Sequence, residues 1–500
     1  MKRSKFSLSN YKLLSMDQGY LTPCGLLEVL PGDSIQQATS CLVRVQPLLA
    51  PMMHPVDIRI HHWFVPHRLV WSAWEDFITG GPDGMDDKAF PYIKAPAVGG
   101  VPVGSLMDYY GVPTGVPNLE FSALVRRGYG LIWNEWYRDQ DLQAEVPVGV
   151  DVDGLDTVTA FGIQKVAWEK DYFTSARPWP QKGPDITLPL GTTAPVLGIG
   201  MQDNVTYGAG GTNWKQSDGS DTSVGSWGSP GGLGAIQVKG NNTTKVPDIY
   251  ADLSGATAVS INTVREAFAL QRYAEARARY GSRYTEYLRY LGVRSSDARL
   301  QRPEYLGGGR QRLQISEVLQ TGVTSDGDDS EGVGNMKGHG IGALRTNRYR
   351  RFFEEHGYIH SFISVKPKTI YAQGLPRTFA RRTREDFWQR ELQHIGQQEV
   401  YNYEVYAAHS NANGTFGYQD RYDEYRRQES SIAGEFRTTL NFWHMARLFS
   451  SDPALNADFV AANPTDRVYA TSDTNELWVM VNHSIQARRM VAASGKSFTY

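Results

Sequence analysis

Apolar and polar residues alternate from Thr39 to Leu49 and again from Val56 to Val65, a period of two that belongs to an extended strand with one buried face. The same period returns far along the chain. Ile359, Ser361, Ile363 and Val365 alternate with His360, Phe362 and Ser364, and Leu477, Val479, Val481 and Ile485 alternate with Trp478, Met480 and Ser484. Strands thus cluster toward both ends, with helical and irregular stretches between. A Rossmann fold or a TIM barrel would show regular strand and helix alternation. Strands parted by long excursions fit a mainly β fold instead, an antiparallel β-sandwich with large insertions, and 500 residues can form one such unit. No internal repeat is visible.

The excursions carry their own signals. After Pro66, the residues Val70, Trp74, Phe77 and Ile78 fall at i, i+4, i+7 and i+8, which predicts an amphipathic helix ended by Gly80 and Gly81. Residues 80–118 are rich in Pro and Gly, and Leu119 to Gln143 is again helical in pattern. Asp151, Asp153 and Asp156 follow in a loop-like stretch. Thr263 and Glu266 have capping-box spacing, predicting a helix with Val264, Phe268, Ala274 and Ala278 near one face and Gly281 at its end; Tyr284 to Leu291 predicts a second. Thr383 is expected to start another, with Phe387, Trp388, Leu392 and Ile395 inward. Residues 1–35, punctuated by Pro23, Gly25, Pro31 and Gly32, read as an irregular N-terminal arm, and Gly322 to Gly342 as an acidic loop carrying Asp326, Asp328, Asp329 and Glu331. Residues 200–245 are too poor in aliphatics for a core and read as an exposed Gly/Ser-rich insertion loop, with Trp214 and Trp227 as its aromatic anchors.

Charge narrows the function classes. A net charge of -2 and an isoelectric point near 6.6 argue against a dedicated nucleic-acid-binding module, so any contact with nucleic acid must come from local patches. Arginine supplies them. Arg265, Arg272, Arg277 and Arg279 lie in the central helix, and Arg345, Arg348, Arg350 and Arg351 are interleaved with Tyr349 and Phe352; Arg377, Arg381, Arg382 and Arg384 follow Pro376. Charge beside aromatics suits single-stranded nucleic acid, where guanidinium groups neutralise phosphate and rings stack on bases. Ion pairing between subunits is as good a reading for each residue taken singly.

Catalytic and metal patterns are weak. Trp133-Asn134-Glu135-Trp136 contains the Asn-Glu pair of some glycoside hydrolases, but no matched second carboxylate is evident. His61 and His62 would point to opposite faces of a strand, which spoils a metal site with His67. Neither a phosphate-binding glycine loop nor a serine nucleophile elbow is present, so no catalytic residue, metal or cofactor is assigned. Cys24 and Cys41 read as free core thiols of a reducing compartment. No apolar run approaches the roughly 20 residues that span a bilayer, so no membrane insertion is expected, and Ser7, Ser9, Asn10 and Lys12 interrupt any signal-peptide pattern after Lys2, Arg3 and Lys5.

The segments FVPHRLVWSAWEDF (Phe64 to Phe77), GLIWNEWYRDQDLQ (Gly130 to Gln143), DYFTSARPWPQKGP (Asp171 to Pro184), QRPEYLGG (Gln301 to Gly308) and FGYQDRYDEYR (Phe416 to Arg426) occur in order along the chain, together with LPGDS (Leu30 to Ser34) and FWHMARLFSSDPALN (Phe442 to Asn456). In these the sequence resembles the major capsid proteins of microviruses, small icosahedral single-stranded DNA phages, particularly the gokushovirus-like branch. The resemblance implies one capsid domain over residues 1–500, a single eight-stranded jelly roll with long insertions. It implies a non-enzymatic homo-oligomer, a T=1 shell around circular single-stranded DNA, found in the virion and assembled in the host cytoplasm. It further implies small DNA-binding and pilot proteins as partners, and a host surface receptor met by the 200–245 loop. The competing function is a carbohydrate-active or carbohydrate-binding jelly-roll protein centred on Trp133 to Trp136.

Overall fold

A computed structural model describes residues 3–184 apart from 83, residue 186, short strands between 196 and 251, and residues 261–493 apart from 282, 295, 298, 300, 322–333 and 472. The chain divides into two compact units, one of Met1–Pro180 with Tyr280–Tyr500 and one of Gln181–Arg279.

The first unit is built on two antiparallel sheets. Their strands are β1 (Ser4–Ser7), β2 (Asn10–Met16), β3 (Thr22–Val29), β4 (Ser34–Val45), β5 (Val56–Pro66), β6 (Glu304–Arg312), β7 (Gln314–Leu319), β8 (Met336–Arg345), β9 (Tyr349–Phe352), β10 (Gly357–Pro367) and β11 (Leu477–Arg489). The larger sheet runs β1-β11-β4-β8-β7, with β2 also on β11 and β9 also on β4; the smaller runs β6-β5-β10-β3. Successive strands mostly cross from one sheet to the other, the Greek-key interleaving of a jelly-roll sandwich. The larger sheet has seven strands, so the two together hold more than the expected eight.

Apolar side chains from both sheets meet between them. Val43, Leu344, Val479 and Val481 of the larger sheet pack with Cys24, Ile58, Ile60 and Ile363 of the smaller, all buried. Along β11 burial alternates residue by residue, as its sequence predicts, because only one face of the larger sheet is covered. Strands β5 and β10 are buried on both faces. Their second face, carrying Trp63, Val65 and Phe362, is covered by Trp71, Leu124, Tyr129 and Ile132 from the excursion that follows β5.

That excursion departs from the predicted helices. The stretch expected as one helix from Val70 is two short ones, α1 (His67–Val70) and α2 (Trp74–Thr79), with the expected stop at left-handed Gly80. They part at Trp71, which is fully buried and donates its indole N–H to Asp153 at 2.7 Å. Beyond α3 (Leu106–Tyr110), the 119–143 pattern yields α4 (Leu124–Ile132), continuing into a π-helical turn at Trp133–Tyr137. In the loop-like stretch after it, Asp156 forms a fully buried ion pair with Arg127 at 2.7 Å. The guanidinium also donates to the carbonyls of Val70 and Val152, and the carboxylate accepts from Thr159. Burial alone would raise the Asp156 carboxyl, but the hydrogen bonds from Thr159 and Arg127 outweigh it and hold it below the usual range.

Three other expectations are corrected. The first 35 residues are not irregular, since they supply β1, β2 and β3. Pro23 and Gly25, which read as turn signals, sit at a bulge on the sheet's edge strand, where a missing N–H is tolerated. Nor is Gly322 to Gly342 a loop throughout: from Met336 it is β8, with Gly338, Gly340 and Gly342 facing the core. A Cβ on Gly338 would lie 2.5 Å from the Ala50 carbonyl and one on Gly340 2.6 Å from a Val45 methyl, so glycine is what lets β8 close on its neighbours. The acidic residues of that stretch lie outside the described residues. From Thr383 there is only a 3₁₀ turn, Arg384–Asp386, and Phe387, Trp388 and Ile395 are more than half exposed instead of inward.

In the second unit α5 (Ile261–Tyr280) starts two residues before Thr263, and it runs up to left-handed Gly281. Ala274 and Ala278 are buried but Phe268 is exposed. The first unit resumes at Tyr280, and its next helix is α6 (Tyr284–Tyr290). Within the 200–245 stretch, Trp214 lies in a small antiparallel sheet with Ile199–Gln202, Asp221–Thr222 and Gln237–Val238, whereas Trp227 lies outside the described residues.

Two stability outcomes follow. Asp156→Ala leaves the Arg127 charge buried and unpaired and is expected to cost about 3–5 kcal/mol by denaturant unfolding. Burial pulls His62 and His360 down to about 3, and His54, His61 and His67 to about 4. Their folded values lie below the unfolded one, so the stability from keeping them neutral is complete above about pH 6.5 and is lost as pH falls toward 4 and then 3. Burial pulls His444 and His483 down as well, adding to the same side, whereas Glu476, pushed up to about 7 by burial, and Asp33, Glu304, Glu404 and Glu429, also raised by burial, act oppositely. The melting temperature is expected to fall between pH 7 and pH 4, with a flatter dependence in His360→Gln.

Candidate nucleic-acid interface

Because β11 alternates, Trp478, Met480, Asn482, Ser484, Gln486 and Arg488 point away from the core. Register carries that face across the larger sheet. Leu13, Met480 and Leu42 stand side by side on β2, β11 and β4, and Trp478 neighbours Arg44, which neighbours Ile341. Toward the other end, Lys5 pairs across from Arg488, Arg345 across from Ser40, Arg350 across from Gln36 and Phe352 across from Ser34. On the far edge Lys337 stands opposite Val318.

The chemistry of this face is one-sided. Its outward strand positions include Lys5, Arg44, Lys337, Arg345, Arg350 and Arg488 and no Asp or Glu. None of these six cations makes an ion pair among the described residues. Beside them Tyr11 is 69% exposed, Leu13 70%, Phe352 51% and Trp478 46%. Leu13, Leu42, Arg44, Trp478 and Met480 line a shallow depression of about 430 Å³.

The predicted arginines divide. Arg345 and Arg350 stand on this face. Arg351 points the other way and pairs with Glu304, and Arg348 is exposed between β8 and β9. Arg265, Arg272, Arg277 and Arg279 belong to α5 in the second unit and are exposed there, with Arg277 lying 5.5 Å over the Tyr273 ring. Of the third tract, Arg377 and Arg381 are engaged by Glu404 and Glu424. Arg44 and Lys337 are isolated in the sequence, Arg488 has only Arg489 beside it, and Lys5 falls with Lys2 and Arg3 in the interrupted signal-peptide pattern, so none of the four stands out there as a nucleic-acid contact. The signal that finds them is the outward phase of the strand alternation.

Trp133 to Trp136 are structural. Trp133 is buried and donates to the Lys165 carbonyl, Trp136 donates to Pro303 and carries Arg302 over its ring at 4.3 Å, and Arg302 is in turn paired with Asp297. Glu135 lies near the Arg283 guanidinium. His61 and His62 bond to Tyr137 and Ser361, in different directions. Among the described residues no group of three His, Cys, Asp or Glu could hold a metal ion, and no helix is long and apolar enough to cross a membrane. Cys24 and Cys41 are buried free thiols, which burial pushes up to about 12 and about 11.

A two-sheet β subunit with long insertions and one bare, cationic sheet face has the build of a shell-forming structural protein. The capsid protein (F protein) family matches residues 1–498, and this chain belongs to it. Relatives called capsid protein VP1 support the same placement. That of Bdellovibrio phage phiMH2K is 39% identical, covering 93% of this chain and 89% of its own length. That of Chlamydia phage 1 is 32% identical with 95% and 91% covered, and that of Spiroplasma virus 4 is 31% identical with 92% and 87% covered. The chain is a structural major capsid protein of a bacteriophage virion.

Proposed function

We propose that the chain self-assembles, without enzymatic activity, into a T=1 icosahedral shell that encloses circular single-stranded DNA. The carrying observation is the surface of residues 375–395. Phe379 is 78% exposed, and Phe387 and Trp388 are each 52% exposed, on backbone with almost no regular structure. Solvated aromatics clustered on irregular chain are the kind of surface that marks a protein interface, and aromatics are enriched at the cores of such interfaces. In a closed shell each contact recurs by symmetry on every copy, so modest interfaces sum to a stable particle.

Under this reading assembly takes place in the host cytoplasm. Small DNA-binding and pilot proteins are the further virion partners, and the insertion at 200–245, with Trp214 and Trp227, meets a host surface receptor. The test is the pair Phe379→Ala and Trp388→Ala. Each is expected to leave the melting temperature of the subunit unchanged while the yield of uniform particles, by light scattering and electron microscopy, drops at least tenfold. A native chain that stays monomeric under assembly conditions would overturn the proposal.

A further inference from the structure

We propose that the bare face of the larger sheet is the inner wall of the shell, a stacking platform for single-stranded DNA that reads no sequence. The inference deepens the shell proposal and rests on it.

Charge complementarity identifies the occupant. Arg44, Arg345, Arg350, Arg488, Lys5 and Lys337 stand on one face with no carboxylate among its strand positions and, among the described residues, no ion pair of their own. A basic partner would be repelled there, and a neutral one would leave the charges unanswered. A polyanion answers all of them. The apolar component fits the same ligand, because bases stack on rings whatever their identity: Trp478 stands at one end of the face, Tyr11 partway along it beside Asn482, and Phe352 at the other end. With strands about 4.8 Å apart and rising about 3.3 Å per residue, the face is roughly 19 Å across its five strand positions and roughly 33 Å from Trp478 to Arg488.

Symmetry explains why readout must be indifferent to sequence. Every copy in a closed shell presents the same face, while the DNA passing beneath each copy differs. Phosphates and base π-faces are what all those stretches share. Orientation follows as well. The outer face of the smaller sheet is already covered by the excursion after β5, so with the bare face turned to the genome that layer turns outward.

The test uses the full-length chain, as particles and as dissociated subunits, with a poly(dT) oligonucleotide as the probe. For a single strand, log K falls with log salt at a slope near −0.7 per phosphate neutralised, so the triple variant Arg345→Gln, Arg350→Gln, Arg488→Gln is expected to flatten the slope by about 2. Trp478→Ala is expected to weaken binding about tenfold with the slope unchanged. Arg272→Gln on α5 serves as the off-face control and is expected to change neither. An unchanged slope and affinity in the triple variant overturns the inference. So does a triple variant that binds the oligonucleotide normally but no longer forms particles, which would make the face a contact for an acidic segment of a second copy. Failure of the native chain to form particles sinks the shell proposal itself. Native particles that contain DNA while the triple variant is indistinguishable sink the inference alone.

Discussion

The two central strands of the smaller sheet have no face to give to water, and most of the architecture answers that constraint. Strands β5 and β10 are buried on both sides, so one sheet cannot suffice as cover. The larger sheet closes one side. The other is closed by chain inserted between β5 and β6, which are neighbours in the sheet although residues 67–303 separate them in sequence. Lengthening a connection adds entropic cost only slowly, so such an insertion is tolerable if it folds back and packs. Here it does, through Trp71, Leu124, Tyr129 and Ile132.

What fixes the returning layer in one arrangement is polar. The Arg127 to Asp156 pair is removed from solvent, and desolvating two charges costs several kcal/mol per ion unless every donor and acceptor finds a partner. The Val70 and Val152 carbonyls and Thr159 supply those partners from three points along the excursion. An apolar pair would tolerate small slides. A guanidinium whose partners lie on separate segments does not, so α1, α4 and the loop after residue 150 are held in one mutual position.

Much of the fold was legible and the reasons for the rest are specific. Strand β11 is legible because one of its faces is solvated and the alternation is clean. Strand β10 was found as well, but burial of both faces could not be seen, since Phe362 reads as outward until the covering layer is known. Glycine misled twice. In β8 it marks close packing, and at Gly25 an edge bulge, where a Cβ would come 2.5 Å from the His483 ring. The Thr383 pattern misleads differently: Phe387 and Trp388 have helical spacing but stand more than half exposed on chain that makes only a 3₁₀ turn. Of the candidate interface, the sequence yielded Arg345 and Arg350 because aromatics adjoin them, and over-weighted α5, where density along the chain says nothing about which residues share a surface.

The near-neutral net charge, which argues against a dedicated nucleic-acid-binding module, leaves room for the proposed contact through one local patch of the sheet. A uniformly basic subunit would repel its copies at every interface during assembly. Segregating cations onto one face of a sheet, with carboxylates kept elsewhere, leaves the lateral contacts free of that repulsion and, in the proposed orientation, would concentrate it where a genome offsets it. A rigid sheet gains further over a basic tail. The tail must be ordered by the DNA at an entropic cost for every residue fixed, whereas the strands carrying Arg44, Arg345 and Arg488 are already held by the sandwich core beneath them. The alternation that buries Val43, Leu344 and Val479 on one side thereby sets the positions of the charges on the other.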